Sequence, residues 1–161
     1  MALLIRNVTP MDLDAVLALE QACFSPESAA TKDAFSYRIA AFPERFFVAE
    51  QDGKILGLIN GCASSLPRIT DDLFDPQGHD PAGTNQMIFG LAVLPEHRSC
   101  GIGTALMRTM IDFSRQANME RLILTCKKEK IGYYEQFGYV NHGVSQSVHG
   151  GEVWYDMILD L

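Results

Sequence analysis

The chain has 161 residues, enough for one sizeable core and short of two full domains. Hydrophobic residues make up 47% and charged residues 20%, a balance that excludes a disordered polymer. Thirteen Lys and Arg against twenty Asp and Glu leave a net charge of −7, which argues against a general nucleic-acid binder and favours small neutral or cationic partners.

No apolar run approaches the ~18 residues of a membrane span, and the N-terminal stretch lacks the basic start and cleavage site of a signal peptide. Cys23, Cys62, Cys100 and Cys126 are scattered, with no C-x-x-C pair and no zinc-type clustering with histidine. The expectation is free thiols, no metal and a cytoplasmic protein.

Residues 3–8 alternate loosely as a first strand. Thr9 and Pro10 then supply a hydroxyl cap and a first-turn proline, and Leu13, Val16, Leu17 and Ala22 continue at helical spacing. A polar break at residues 25–31 precedes a second helix over 32–41. Residues 46–50 and 55–62 read as a hairpin about Asp52-Gly53. The stretch 67–86, with four Asp and three Pro, reads as a long functional loop. Residues 87–93 form a strand, and Ile102, Leu106, Met110 and Phe113 mark one face of a helix. A strand over 121–126, a short aromatic helix over 131–137 closed by Gly138, and strands over 139–146 and 153–159 complete the chain. The order β, α, α, β, β, β, α, β, α, β, β predicts an α/β (α+β) domain with a mixed sheet.

The segment from Leu91 to Thr104 carries the clearest chemistry. A strand of Leu91, Ala92 and Val93 runs through a turn at Pro95, Glu96 and His97. Arg98, Ser99, Cys100, Gly101, Ile102, Gly103 and Thr104 then lead into a helix. Glycines admit a ligand close to the backbone, and unpaired first-turn amides with the helix dipole suit a phosphate. The spacing matches neither a Walker A loop nor G-x-G-x-x-G, because Leu106 takes the third glycine's place. A tight structural turn would use the same glycines.

Arg98-x-x-Gly101-x-Gly103 resembles the signature of the GNAT acetyltransferase superfamily. Tyr133-Tyr134-Glu135-Gln136-Phe137-Gly138-Tyr139 resembles that superfamily's F-Y-x-x-x-G-F block. The resemblance covers nearly the whole chain. It implies a single GNAT domain over residues 1–161, with a central, mostly antiparallel sheet and helices on both faces. It implies that acetyl-CoA is the cosubstrate, its pyrophosphate on the backbone from Arg98 to Thr104 and its pantetheine arm along Leu91, Ala92 and Val93. It makes Tyr134 the general acid for the leaving thiolate.

Leu124-Thr125-Cys126 followed by Tyr134, together with Gly78-His79, is similar to the arylalkylamine (serotonin) N-acetyltransferases within that superfamily. This implies a small primary amine as acceptor, with no nucleic-acid or membrane partner. Protein, peptide or polyamine acetylation and a non-catalytic CoA-binding module are the alternatives. Dimers are common in the superfamily, so the resemblance allows a homodimer. One departure stands out: Met87 and Phe89 occupy the positions where those enzymes carry proton-removing histidines. His79, whose imidazole titrates near neutrality, is then the candidate base. His149 and Glu20 are weaker ones, and Cys126 a remote acyl-accepting nucleophile. Asp71, Asp72, Asp75 and Asp80 could draw in a cationic amine. Phe24, Phe35, Phe42, Phe46 and Phe47 could line its pocket, although ordinary core is the better reading for most of them.

Overall fold

The structure, a computed structural model, describes residues 2–75 and 78–161. Met1, ahead of the predicted first strand, and Pro76 and Gln77, inside the predicted long loop, lie outside the described residues. The predicted order of elements is observed: β1 (Leu4–Asn7), α1 (Leu13–Cys23), α2 (Lys32–Ala41), β2 (Phe46–Gln51), β3 (Lys54–Ser64), β4 (Asn85–Val93), α3 (Ile102–Gln116), β5 (Arg121–Cys126), α4 (Ile131–Glu135), β6 (Val140–Val144) and β7 (Tyr155–Asp160). Contacts group the chain into two compact units, Met1–Gly61 with Gly90–Asp112 and Cys62–Phe89 with Phe113–Leu161.

In the first unit the strand order is β1-β2-β3-β4. β2 pairs antiparallel with both β1 and β3. Val16 and Leu19 from α1, Phe35 and Ile39 from α2, and Phe46, Val48, Leu58 and Ala92 from the strands build its core. Phe35 meets Phe46 edge-on at 5.3 Å between ring centres. Phe42 and Phe47 are buried as well, so these aromatic rings belong to packing. The predicted helix start begins as a 3₁₀ turn at Pro10–Asp12. There Asp12 accepts from the Thr9 amide at 2.8 Å and from both terminal nitrogens of Arg6, at 2.8 and 3.0 Å. The Arg6 hydrogen bonds hold the Asp12 carboxyl below the usual carboxylate range. Glu20, buried on α1, accepts from the amide of Ala30 at 2.8 Å through one carboxylate oxygen and pins the connection to α2.

In the second unit the order is β4-β5-β7-β6. β4 runs parallel to β5 through Asn85↔Arg121, Gln86↔Leu122 and Met87↔Ile123, while β7 is antiparallel to both β5 and β6. The stretch predicted as a structureless loop has order of its own. Asp71–Phe74 forms a 3₁₀ turn, and β4 starts at Asn85, two residues earlier than expected. Asp71 accepts from the hydroxyl of Ser147 and from the amide of Val148, the latter at 3.2 Å. β6 is shorter than the predicted 139–146, and its register on β7 shifts between Asn141 and Val144, with Gly143 at a φ of 94°.

Candidate active site

The loop that the sequence suggests for a phosphate lies in the first unit. A 3₁₀ turn at Pro95–His97 ends β4, and the first helical bond of α3 runs from the Ala105 amide to the Gly101 carbonyl at 3.0 Å. The amides of Ile102, Gly103 and Thr104 therefore precede the helical ladder. Gly101 has a φ of 84°, which suits glycine, and Ser99 has a φ of 65°, which costs a residue with a Cβ about 1–2 kcal/mol. Left-handed residues at a turn are a feature of the backbone nests that bind anions. Arg98 is exposed, and its Nε donates to the Val93 carbonyl at 3.1 Å, which braces the side chain. The thiol of Cys23 donates to the same carbonyl at 3.3 Å. Leu91 and Val93 are half-buried, Ala92 is buried, and Ser99 and Cys100 are exposed.

Tyr134 lies in the second unit, on α4, half-buried. Its ring meets those of Tyr133 and Tyr139 edge-on, at 5.2 and 5.9 Å. Burial, then the nearby Cys126 and Tyr133, push its phenol well above the ordinary tyrosine range. The group therefore stays protonated through neutral and mildly alkaline pH, the state a general acid needs. Cys126 is buried at the end of β5, and burial with the charge of Glu129 raises its thiol to about 11. A neutral thiol is a poor nucleophile, so nothing here activates an acyl-cysteine.

The base role expected of His79 meets a specific obstacle. Its Nδ1 accepts a hydrogen bond from the Ala63 amide at 3.1 Å, so the neutral ring carries its proton on Nε2. In that tautomer the ring is a donor, and we assign it no base role. The Asp80 amide donates to the Ala63 carbonyl at 3.0 Å, which ties the same loop to β3. Three of the four acidic loop residues are likewise engaged: Asp71 as above, Asp72 with the Thr70 hydroxyl and Asp80 with the Ala82 amide at 3.0 Å.

Sequence reasoning passed over Asp156. This residue of β7 is 7% exposed, its Oδ1 has no hydrogen-bond donor among the described residues, and its Oδ2 lies 3.9 Å from Nε of Arg68. The available signal was a lone carboxylate in the apolar run from Trp154 to Leu159. The same unit carries a row of rings. Phe89 packs on Phe74 at 5.1 Å, Phe74 stacks on His149 at 4.5 Å, and His149 approaches Trp154 at 6.4 Å. The Trp154 indole donates to the His149 carbonyl at 2.8 Å.

The sequence model of the acetyltransferase (GNAT) family matches residues 13–139, and the chain belongs to that family. It is similar to the uncharacterized N-acetyltransferase YkwB of Bacillus subtilis, 29% identical over 76% of this chain. The chain spans 59% of that relative's length. The uncharacterized N-acetyltransferase MJ1530 of Methanocaldococcus jannaschii is 30% identical over 85% of this chain and 78% of its own length. The fold matches that of the GphF GNAT-like decarboxylase in complex with isobutyryl-CoA, with a TM-score of 0.86, 20% identity and 98% of each chain covered. Among the described residues, no helix is long and apolar enough to cross a membrane.

Proposed function

We propose that the chain is an acetyl-CoA-dependent N-acetyltransferase that moves an acetyl group to the primary amine of a small, arylalkylamine-like molecule. The observation that supports it most is the turn at residues 99–101. It puts two left-handed residues and a braced Arg98 ahead of amides that no helical ladder uses. Such amides, a helix dipole and a guanidinium together favour a pyrophosphate. Arg98, Ser99, Cys100, Gly101, Ile102, Gly103 and Thr104 would hold that end of acetyl-CoA, and the main chain of Leu91, Ala92 and Val93 its pantetheine arm. The cosubstrate supplies an acetyl group activated as a thioester.

The chain's own groups do the rest. The acceptor arrives as an ammonium ion and gives one proton to solvent before its nitrogen attacks the acetyl carbon. A main-chain amide near Leu91 stabilises charge on the carbonyl oxygen. Tyr134 hands its hydroxyl proton to sulfur as the carbon–sulfur bond breaks, and it is reprotonated from the acetylated nitrogen. One CoA thiol, one amide and one proton result. A thiolate released in a desolvated setting gains basicity, which offsets the raised affinity of the phenol for its proton. The four cysteines, all free thiols, support a reducing cytoplasmic setting.

The test is release of CoA thiol from acetyl-CoA against tryptamine, phenethylamine, spermidine, lysine, an aminoglycoside and an N-terminal peptide. Selective turnover of the two arylalkylamines is expected. Preference for spermidine or the peptide would keep acetyl transfer and replace the acceptor. Acetyl-CoA binding without turnover of any amine would make the chain a CoA-binding module.

A further inference from the structure

The histidines expected on β4 are absent, yet the same face of the second unit carries a carboxylate. Ladder partners present their side chains on one face of a sheet, and alternate residues of a strand share a face. Met87 pairs with Ile123, so Phe89 lies on the face of Ile123 and Thr125. Thr125 pairs with Asp156, which brings Phe89, Thr125 and Asp156 to one face. They stand just beyond Met87↔Ile123, where the parallel register of β4 on β5 ends among the described residues although both strands continue. The ring row starts on Phe89, on that same face, and runs through Phe74 and His149 to Trp154, two residues before Asp156 in the chain.

A carboxylate nine-tenths buried needs partners, and among the described residues Oδ1 has no hydrogen-bond donor while Oδ2 lies 3.9 Å from Nε of Arg68. We propose that Asp156 is the specificity-determining residue of the acceptor site. Its free oxygen takes the ammonium group of the amine, and Phe74, Phe89, His149 and Trp154 take the amine's apolar or aromatic body. Ammonium groups are held by a carboxylate for charge and by ring faces through their quadrupoles, and this wall offers both. The inference rests on the acetyltransferase reading for its acceptor and assigns the residue that reads it.

Trp154 is the chain's single tryptophan, so its fluorescence reports binding directly. The probes are phenethylamine, a cation at neutral pH, and the uncharged 2-phenylethanol. The wild type is expected to bind phenethylamine the tighter of the two. Asp156→Asn should weaken phenethylamine at least tenfold, leave 2-phenylethanol unchanged and leave Tm unchanged or raised, since a carboxylate that only braced the fold would lower it. Arg68→Ala should act the opposite way and tighten phenethylamine by about two- to fivefold, the size of one half-exposed charge. That second variant decides the matter even if Asp156→Asn fails to fold. Equal binding of both probes by the wild type, no binding of phenethylamine, or a tighter probe unaffected by both variants would overturn the assignment. In turnover, Asp156→Asn should raise KM for phenethylamine and leave KM for acetyl-CoA in place. Phenethylamine bound through Asp156 without any CoA release would refute the acetyltransferase reading alone. Turnover with an unchanged amine KM in Asp156→Asn would refute this inference alone.

Discussion

Replacing Gly57 by alanine puts a methyl group into a space that α3 already fills. A Cβ on Gly57 would lie 3.0 Å from Cδ1 of Leu106, 3.1 Å from Cγ2 of Ile102 and 3.1 Å from the Ala92 carbonyl oxygen. Two of those neighbours are buried side chains of α3 and the third is main chain of β4, so none moves aside cheaply. Overpacking of this kind costs about 1–3 kcal/mol. A mid-range cost of about 2 kcal/mol lowers Tm by roughly 4–8 °C in a domain of this size. Ile102 is the first residue of α3, so a helix lifted from the strand also shifts the amides that follow Gly101. Gly57→Ala should therefore lose acetyl-CoA affinity along with stability, read by thermal melting and by titration calorimetry. Gly132→Ala is the control. Gly132 sits on α4 with no heavy atom within 4 Å of an added Cβ, and alanine there should be neutral or mildly stabilising. Gly57→Ala melting at or above the wild type with unchanged acetyl-CoA affinity would refute the close approach of α3 to β3.

Tyr134→Phe should lower turnover about a hundredfold or more with little change in acetyl-CoA affinity. Because burial keeps the phenol protonated, the wild-type kcat profile should show no loss from its ionisation below about pH 10. Cys126→Ala should retain turnover, since the thiol is protonated at assay pH; loss of a burst of CoA in that variant alone would instead mark an acyl-cysteine. Asp12→Asn should melt below the wild type at neutral pH. Its folded-state carboxyl titrates below the unfolded one, so its stabilisation is present above about pH 4 and fades as pH falls further. The two melting curves should converge in acid, and a gap that persists at pH 2 would contradict the Arg6 pairing.

Much of this was legible before the structure because the signals are local. Glycine spacing, a strand of apolar residues and a four-residue helical period all act within a few residues of each other, and they located the loop at Arg98 and the helix behind it. Ser99 shows where that legibility ends: it adopts a left-handed conformation without being glycine, held there by its surroundings rather than by its type. Distance along the chain hid the rest. Asp71 reads as a solvated loop acid, yet its partners are Ser147 and Val148. His79 reads as a candidate base by residue type alone, and its Nδ1 is taken by the amide of Ala63, sixteen residues away in the chain. Asp156 looks like a surface carboxylate until the β5–β7 register sets it opposite Thr125, inside the sheet's apolar run.

The most direct test of the account is an initial-rate experiment with acetyl-CoA and phenethylamine both varied, CoA thiol and N-acetylated amine measured together. Direct transfer in a ternary complex predicts intersecting double-reciprocal lines and one acetylated amine for each thiol released. Parallel lines, or thiol released without acetylated amine, would contradict it.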